Sequence, residues 1–300
     1  MKIGFVGLGK MGYQIVAKLV AAGNEVVAYD ISHEAVVKAQ QVGAIPAESR
    51  GDLVTKLGEN PIIWLMIPSD FTTAEIEQFA DLLQPGALLI DGGNTNYRAT
   101  HDHNTLLSQL SIDLVDVGTS GGVMGLKNGF SLMVGGTEQN YQRLIPVFDA
   151  LVQPAGMHRY MGPTGYGHYV KMIHNGIEYG VMQSLAEGYH LLNNGPLQGI
   201  PLKDVAEVWQ HGSIIESTLN QLVLEIMQEN PQLNGVEGYV ADSGEGRWTL
   251  EAAKANGIAM PALADALEVR TQSQQGVATY ATQLLAALRN KFGGHAINKQ

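Results

Sequence analysis

The chain has 300 residues, enough for about two domains, and 45% hydrophobic with 16% charged residues gives it ample core. A formal charge of −11 weighs against a nucleic-acid or anionic-membrane surface, so any anionic ligand has to be held by a few placed cations. With no cysteine, disulfides, thiolate metal sites and thiol nucleophiles are excluded, and with no apolar run near the ~18 residues of a membrane span the expectation is a cytoplasmic protein.

In chain order, KIGFVG reads as a strand, residues 10–22 as a helix, EVVAYD as a strand and the residues from Ser32 as a second helix. PIIWLMIP, ALLIDGG and DLVDVG are further strands. Strand and helix alternating in this way predict a parallel sheet with helices on both faces. FSLMVGG (130–136) and HRYMG (158–162) bracket another helix over 138–151. After Gly162 the strand signals stop. Residues 164–194, 202–228 and 248–290 have helical patterns, broken by NNGP, ENPQLNG and NGIAMP. The predicted boundary is near Pro163. The expected fold class is α/β: a doubly wound sheet domain over 1–162, followed by an all-α domain over 163–300.

Gly7, Leu8, Gly9, Lys10, Met11 and Gly12 form GLGKMG, directly after the first strand and at the start of a helix, and Asp30 closes the second strand. In a Rossmann-type fold these glycines permit the tight turn, close approach of a pyrophosphate and helix–strand packing. The N–H groups at the helix start favour the negative charge. A carboxylate at 30 accepts hydrogen bonds from ribose hydroxyls and repels a 2′-phosphate, and no Arg or Lys follows it in YDISHEA, which favours NAD over NADP. Two plainer readings stand beside this one. The glycines can serve a simple strand-to-helix turn, and Asp30 can cap the next helix, although Ser32 fills that role equally well.

In VKMIHNGIEY (170–179), Lys171, His174, Asn175 and Glu178 fall at i, i+3, i+4 and i+7, one stripe of a helix at about 100° per residue. A lysine acts as a base only when neutral. Moving its pKa from about 10.4 to near 7–8 costs roughly 4 kcal/mol, which burial, a nearby cation or the positive end of a helix supplies. His174 and Asn175 can orient a substrate, and Glu178 can serve as a second acid. The alternative is a solvated face, against which stand the apolar neighbours Val170, Met172, Ile173, Ile177, Val181 and Met182. His101 and His103 form an HDH pair that reads as exposed rather than as a metal site, and no metal is expected. Trp64, Trp209 and Trp248 read as core residues.

The chain resembles the decarboxylating 6-phosphogluconate dehydrogenases. The matching pieces are GLGKMG (7–12), DGGNTNYRAT (91–100), DVGTSGGVMGLKNG (116–129), GHYVKMIHNGIEYG (167–180), GEGRWT (244–249) and RNKFGGH (289–295), in the family's order. HNGIEY and the SGG turn separate this family from the related β-hydroxyacid dehydrogenases, which share the lysine but follow it with two asparagines. The length resembles the short, NAD-dependent form with one helical domain. The resemblance implies that Lys171 is the base toward the C3 hydroxyl and then an acid, and that Glu178 protonates C1 of the enediol. It implies that Asn94, Ser120, Gly121, Gly122, His174 and Asn175 hold the sugar acid, with Asn94 also at the cofactor. Tyr179 and Arg270 match phosphate ligands, and Arg289 and His295 match a C-terminal pair supplied by a neighbouring subunit of a homodimer or homotetramer. Where longer members carry a lysine and a threonine, this chain has Ser243 and Glu245, with Arg247 as a candidate substitute. The rival activity is a non-decarboxylating β-hydroxyacid dehydrogenase of the 3-hydroxyisobutyrate or tartronate-semialdehyde type. A rival of another class is a nucleotide sensor that has lost the chemistry.

Overall fold

Apolar runs define the strands: all four residues of IIWL at 62–65 are buried, as are the three apolar residues of LLID at 88–91 and the aspartate that closes it. Strands covered on both faces read this way, because neither side meets water. The computed structural model describes residues 1–294. The strands are β1 (Lys2–Val6), β2 (Glu25–Tyr29), β3 (Ile45–Pro46), β4 (Ile62–Leu65), β5 (Leu88–Asp91), β6 (Asp113–Ser120), β7 (Ser131–Gly135) and β8 (Met157–Gly162). Between and after them lie α1 (Lys10–Ala21), α2 (His33–Gln41), α3 (Arg50–Leu57), α4 (Ser69–Leu82), α5 (Tyr97–Gln109), α6 (Gly125–Asn128), α7 (Glu138–Val152) and α8 (Tyr166–Asn194). The chain continues with α9 (Leu202–Gln210), α10 (Thr218–Glu229), α11 (Glu245–Ala255), α12 (Pro261–Gln274) and α13 (Tyr280–Gly293).

The chain divides into two compact units, Met1–Met172 and the residues from Ile173 onward. Strand signals end at Gly162, but the division falls further on, inside α8, whose first turns belong to the sheet unit.

In the first unit one eight-stranded sheet has the order β3-β2-β1-β4-β5-β6-β7-β8. Its first six strands are parallel, as the alternating pattern predicts. β7 departs from that expectation and runs antiparallel to β6, and β8 follows β7. The reason is the connection: between Ser120 and Ser131 there is only a short turn and the four-residue α6, whereas a parallel return needs a crossover of roughly a dozen residues or more. The two-residue β3 was not predicted either. It carries proline, which an edge strand tolerates because its outer N–H row is unpaired.

Two apolar layers flank the sheet. Ile15 and Leu19 of α1 and Leu144, Val147 and Phe148 of α7 join Phe5 and Trp64 on one face. Leu53, Ile76, Phe79 and Leu107 of α3, α4 and α5 cover the other. Trp64 stacks on Phe5 at 6.1 Å and meets Phe148 edge-on at 6.3 Å, so it is a core residue. The second unit, among the described residues, is helical. Its core gathers Met182 and Tyr189 of α8, Leu222 and Val223 of α10, and Leu284, Leu285 and Leu288 of α13. No helix of the described residues is long and apolar enough to cross a membrane.

Candidate active site

The turn after β1 has the backbone its glycines imply. Gly7 stands at φ +92°, and a Cβ there would collide with the Met66 carbonyl. A Cβ at Gly12 would fall on the Gly7 carbonyl, so the helix can only pack this closely on the turn with glycine there. Gly9 is different, since a Cβ on it would meet nothing within 4 Å. Its face is open, as approach of a pyrophosphate requires. Helices α2, α3, α5, α7, α10 and α13 are capped by Ser32, Ser49, Asn96, Thr137, Ser217 and Thr279. α1 has neither a side-chain cap nor an acidic residue in its first turn, which leaves an electropositive end suited to a phosphate.

Asp30 holds this turn together. Its Oδ2 accepts the Leu8 N–H at 2.6 Å and its Oδ1 the Ser32 N–H at 2.7 Å. Ser32, not Asp30, caps α2, accepting from the Ala35 N–H. The plain capping role is therefore already filled. The neighbouring Ile31 is 89% exposed.

Further along the sheet, two aspartates stand in register on β5 and β6, Asp91 opposite Asp116, exposed by 1% and 0%. Asp91 accepts the Gly93 N–H at 3.0 Å and the Thr95 hydroxyl at 2.6 Å, and so frames the exposed Asn94 between two tethered neighbours. Asp116 accepts the N–H groups of Gly165 at 2.6 Å and His168 at 2.7 Å, at the start of α8. The residues' own pattern assigns neither aspartate a role; in β5 the signal is a single carboxylate closing an apolar strand, whereas β6 holds Asp113 as well as Asp116. Ser120 ends β6, and Gly121 and Gly122 follow with φ of +124° and +52°, a turn that non-glycine residues rarely adopt.

Lys171 is 7% exposed and lies directly over β6. A Cβ on Gly118 would fall on Lys171 Cβ and lie 3.0 Å from its Cγ. The sequence offered the positive end of α8 as one means of neutralising this lysine, but the buried Asp116 carboxylate already occupies that end. His103, expected to be exposed, is buried and its Nε2 lies 2.9 Å from the Thr73 hydroxyl, while His101 is exposed. Burial pulls the His103 pKa down. Among the described residues no three His, Asp or Glu side chains cluster as a metal site.

In the second unit α8 continues with His174, Asn175 and Glu178, all half-buried. His174 Nδ1 donates to Asn175 Oδ1 at 3.0 Å and lies 3.8 Å from Glu178 Oε2. The apolar neighbours Ile177 and Val181, which the sequence reading used as evidence of burial, are exposed. α11 packs on this helix through glycines: a Cβ on Gly176 would lie 2.8 Å from Thr249, and one on Gly246 2.6 Å from the Tyr179 ring. That accounts for much of the GEGRWT motif.

Tyr179 is buried, and Arg270 lies flat on it with Cζ 3.6 Å from the ring centroid. Arg270 is 1% exposed, donates from Nη1 to the Ala241 carbonyl at 3.1 Å, and leaves Nη2 buried without a partner. Among the described residues no carboxylate pairs with it. Burial pulls its pKa down to about 10, and the charge of Arg289, itself buried in α13, pushes the same way. It remains a cation at neutral pH. Beside it, Asp242 accepts Arg247 Nη2 at 2.7 Å and Nε at 3.2 Å, the Gly244 N–H at 2.9 Å and the Tyr179 hydroxyl at 3.4 Å. Burial works against its charge, but the Gly244 N–H and Arg247 outweigh burial and hold its carboxyl below the usual range. Ser243 Oγ lies 3.2 Å from the same hydroxyl, and Glu245 is buried. His295 lies outside the described residues.

Two family models match: the NAD binding domain of 6-phosphogluconate dehydrogenase over residues 2–162, and the C-terminal domain of 6-phosphogluconate dehydrogenase over residues 167–282. The chain is 38% identical over 302 aligned positions to the NAD(+)-dependent, decarboxylating 6-phosphogluconate dehydrogenase of Haloferax volcanii, covering 100% of this chain and 99% of that one. It is 33% identical to the decarboxylating 6-phosphogluconate dehydrogenase of Synechococcus elongatus, over 91% of this chain but only 61% of that longer protein. Among solved structures, Plasmodium falciparum 6-phosphogluconate dehydrogenase aligns with a TM-score of 0.82 and 26% identity over 92% of this chain and 62% of that one. Mycobacterium tuberculosis 3-hydroxyisobutyrate dehydrogenase aligns at 0.74 with 20% identity, over 94% and 97%, and so shares the fold.

Proposed function

Because the chain belongs to the 6-phosphogluconate dehydrogenase family, we propose that it oxidises and decarboxylates 6-phospho-D-gluconate with NAD, giving D-ribulose 5-phosphate, carbon dioxide and NADH. Arg270 carries this reading. A buried guanidinium with no carboxylate partner among the described residues, stacked on Tyr179, suits a phosphate dianion, which the small β-hydroxy acids lack.

Residues 1–162 bind the dinucleotide and contribute to the substrate site, whose larger part comes from 163–300. Asn94, the Ser120-Gly121-Gly122 turn, His174 and Asn175 hold the sugar acid's carboxylate and hydroxyls. Tyr179 and Arg270 hold its phosphate, with Arg289 and His295 completing that end in a homodimer or homotetramer. Exposed apolar residues of the second unit, among them Leu197, Val208 and Ile214, support assembly of this kind. When bound, NAD supplies the hydride acceptor. Lys171 takes the proton from the C3 hydroxyl as hydride leaves C3. The resulting 3-keto acid is a β-keto acid. It loses carbon dioxide while the protonated Lys171 donates to the ketone oxygen, and Glu178 then protonates C1 of the enediol as the adjoining enol hydroxyl gives its proton back to Lys171. Carbon dioxide release from 6-phosphogluconate in the presence of NAD tests the proposal. Turnover of 3-hydroxyisobutyrate or tartronate semialdehyde without such release would overturn it.

Cofactor choice rests on Asp30, whose carboxylate repels a 2′-phosphate. Asp30→Ala combined with Ile31→Arg is expected to raise the NADP-to-NAD ratio of kcat/KM by more than about tenfold, one such step being about 1.4 kcal/mol. An unchanged ratio would show that Asp30 only fastens the turn.

A further inference from the structure

We propose that Asp116 is a positioning residue for Lys171, fixing the first turns of α8 on β6 so that the lysine stands where proton transfer needs it. The inference rests on the reading of Lys171 as the base and adds a residue from another element that sets it. The carboxylate of Asp116 is fully buried and grips α8 at two points, the N–H groups of Gly165 and His168. The first N–H groups of a helix have no partner within it, and a carboxylate supplies charge-assisted bonds there. Gly118, two residues along β6 and on the same face, leaves bare backbone under the Lys171 stem. Gly167 extends the contact, because a Cβ there would collide with the Met133 carbonyl and lie 2.7 Å from that of Asp116. Helix and strand backbones therefore meet without intervening side chains, and Asp116 ties them. His168 is fixed laterally as well, its Nδ1 2.7 Å from the Thr100 hydroxyl of α5.

Asparagine keeps the shape of Asp116 but turns an amino group toward one of the two N–H donors. One tie is lost and the start of α8 shifts. Because misplacing a catalytic group by about 1 Å costs on the order of 10²-fold, Asp116→Asn is expected to lower kcat about 10- to 100-fold. The KM values for NAD and 6-phosphogluconate should stay within about twofold, since uniform binding is untouched. The deuterium isotope effect on kcat with C3-deuterated substrate should rise as hydride transfer becomes slower. Steady-state kinetics and thermal melts of the full chain test this. A lower melting temperature with unchanged kcat per folded molecule would reduce Asp116 to a structural cap and overturn the proposal. An equal loss in kcat and both KM values would do so too. Gly118→Ala, which displaces the lysine without touching the carboxylate, should reproduce the kcat loss if Asp116→Asn does not fold. Lys171→Met, run alongside, separates the two claims. Hydride transfer surviving in that variant would overturn the base assignment and this proposal with it, whereas its loss beside an unaffected Asp116→Asn would overturn only the role of Asp116.

Discussion

Lys171→Met is expected to lower kcat for oxidation of 6-phosphogluconate by about 10³-fold or more, near the upper end of the 10²–10⁴ supplied by a placed general acid–base group, because the proposed mechanism uses the same amine twice. Methionine is close to lysine in length and needs no hydration, so it suits a site that is 7% exposed. The melting temperature should not fall, and the Kd for NADH, read by fluorescence titration, should change less than about threefold, well under the 1.4 kcal/mol of a tenfold change. Arginine at 171 is the informative companion. A guanidinium keeps the charge but does not give up its proton at any accessible pH, so it can replace a fixed cation and cannot replace a base. Lys171→Arg is therefore expected to be as inactive as Lys171→Met. Recovery of more than about a tenth of wild-type kcat in the arginine variant would recast the lysine as an electrostatic clamp, since charge stabilisation alone would then carry most of the acceleration.

What was legible in the sequence was local. GLGKMG and Asp30 lie within one strand–helix–strand unit, and the hydrogen bonds from the Leu8 and Ser32 N–H groups join residues that such a unit brings together. The stripe of Lys171, His174, Asn175 and Glu178 followed from helical periodicity alone. Its surroundings did not: Ile177 and Val181 are exposed, and Lys171 is buried because a glycine far back in the chain, Gly118, lets the first turns of α8 settle on β6. Asp116 was missed for the same reason. The N–H groups it grips lie 49 and 52 residues later, and no pattern within a window that short records the tie. The reversal of β7 depended on the length of a connection rather than on the strand's own residues, which look alike in either direction. His103 was misjudged because its partner, Thr73, comes from another helix. The proposed phosphate end was legible mainly through resemblance, and it is there, at Asp242 and Ser243, that the geometry adds most.

Arg270 sets stability against function in a way that one substitution exposes. Burying an unpaired guanidinium costs several kcal/mol even after relaxation. The Tyr179 face at 3.6 Å returns about 2 kcal/mol, and the bond to the Ala241 carbonyl about 1.5–3. The unpartnered Nη2 and the like charge of Arg289 add to the cost. Arg270→Met keeps apolar contact with Tyr179 and removes the buried charge. Without ligand, the variant should melt no lower than wild type, and a rise is the favoured outcome, as when buried ion groups are replaced by apolar residues of similar volume. With substrate the balance inverts. Losing charge-assisted bonds to a phosphate, about 1.5–3 kcal/mol, raises KM for 6-phosphogluconate roughly 10- to 150-fold. Gluconate, which has no phosphate to lose, should be turned over with unchanged KM. The same split should appear in melts, because a ligand that binds only the folded state raises its stability with concentration. 6-Phosphogluconate should raise the wild-type melting temperature and leave that of Arg270→Met nearly still. A variant that melts well below wild type and loses gluconate and 6-phosphogluconate turnover equally would show Arg270 to be a structural residue, and the phosphate assignment would fall with it.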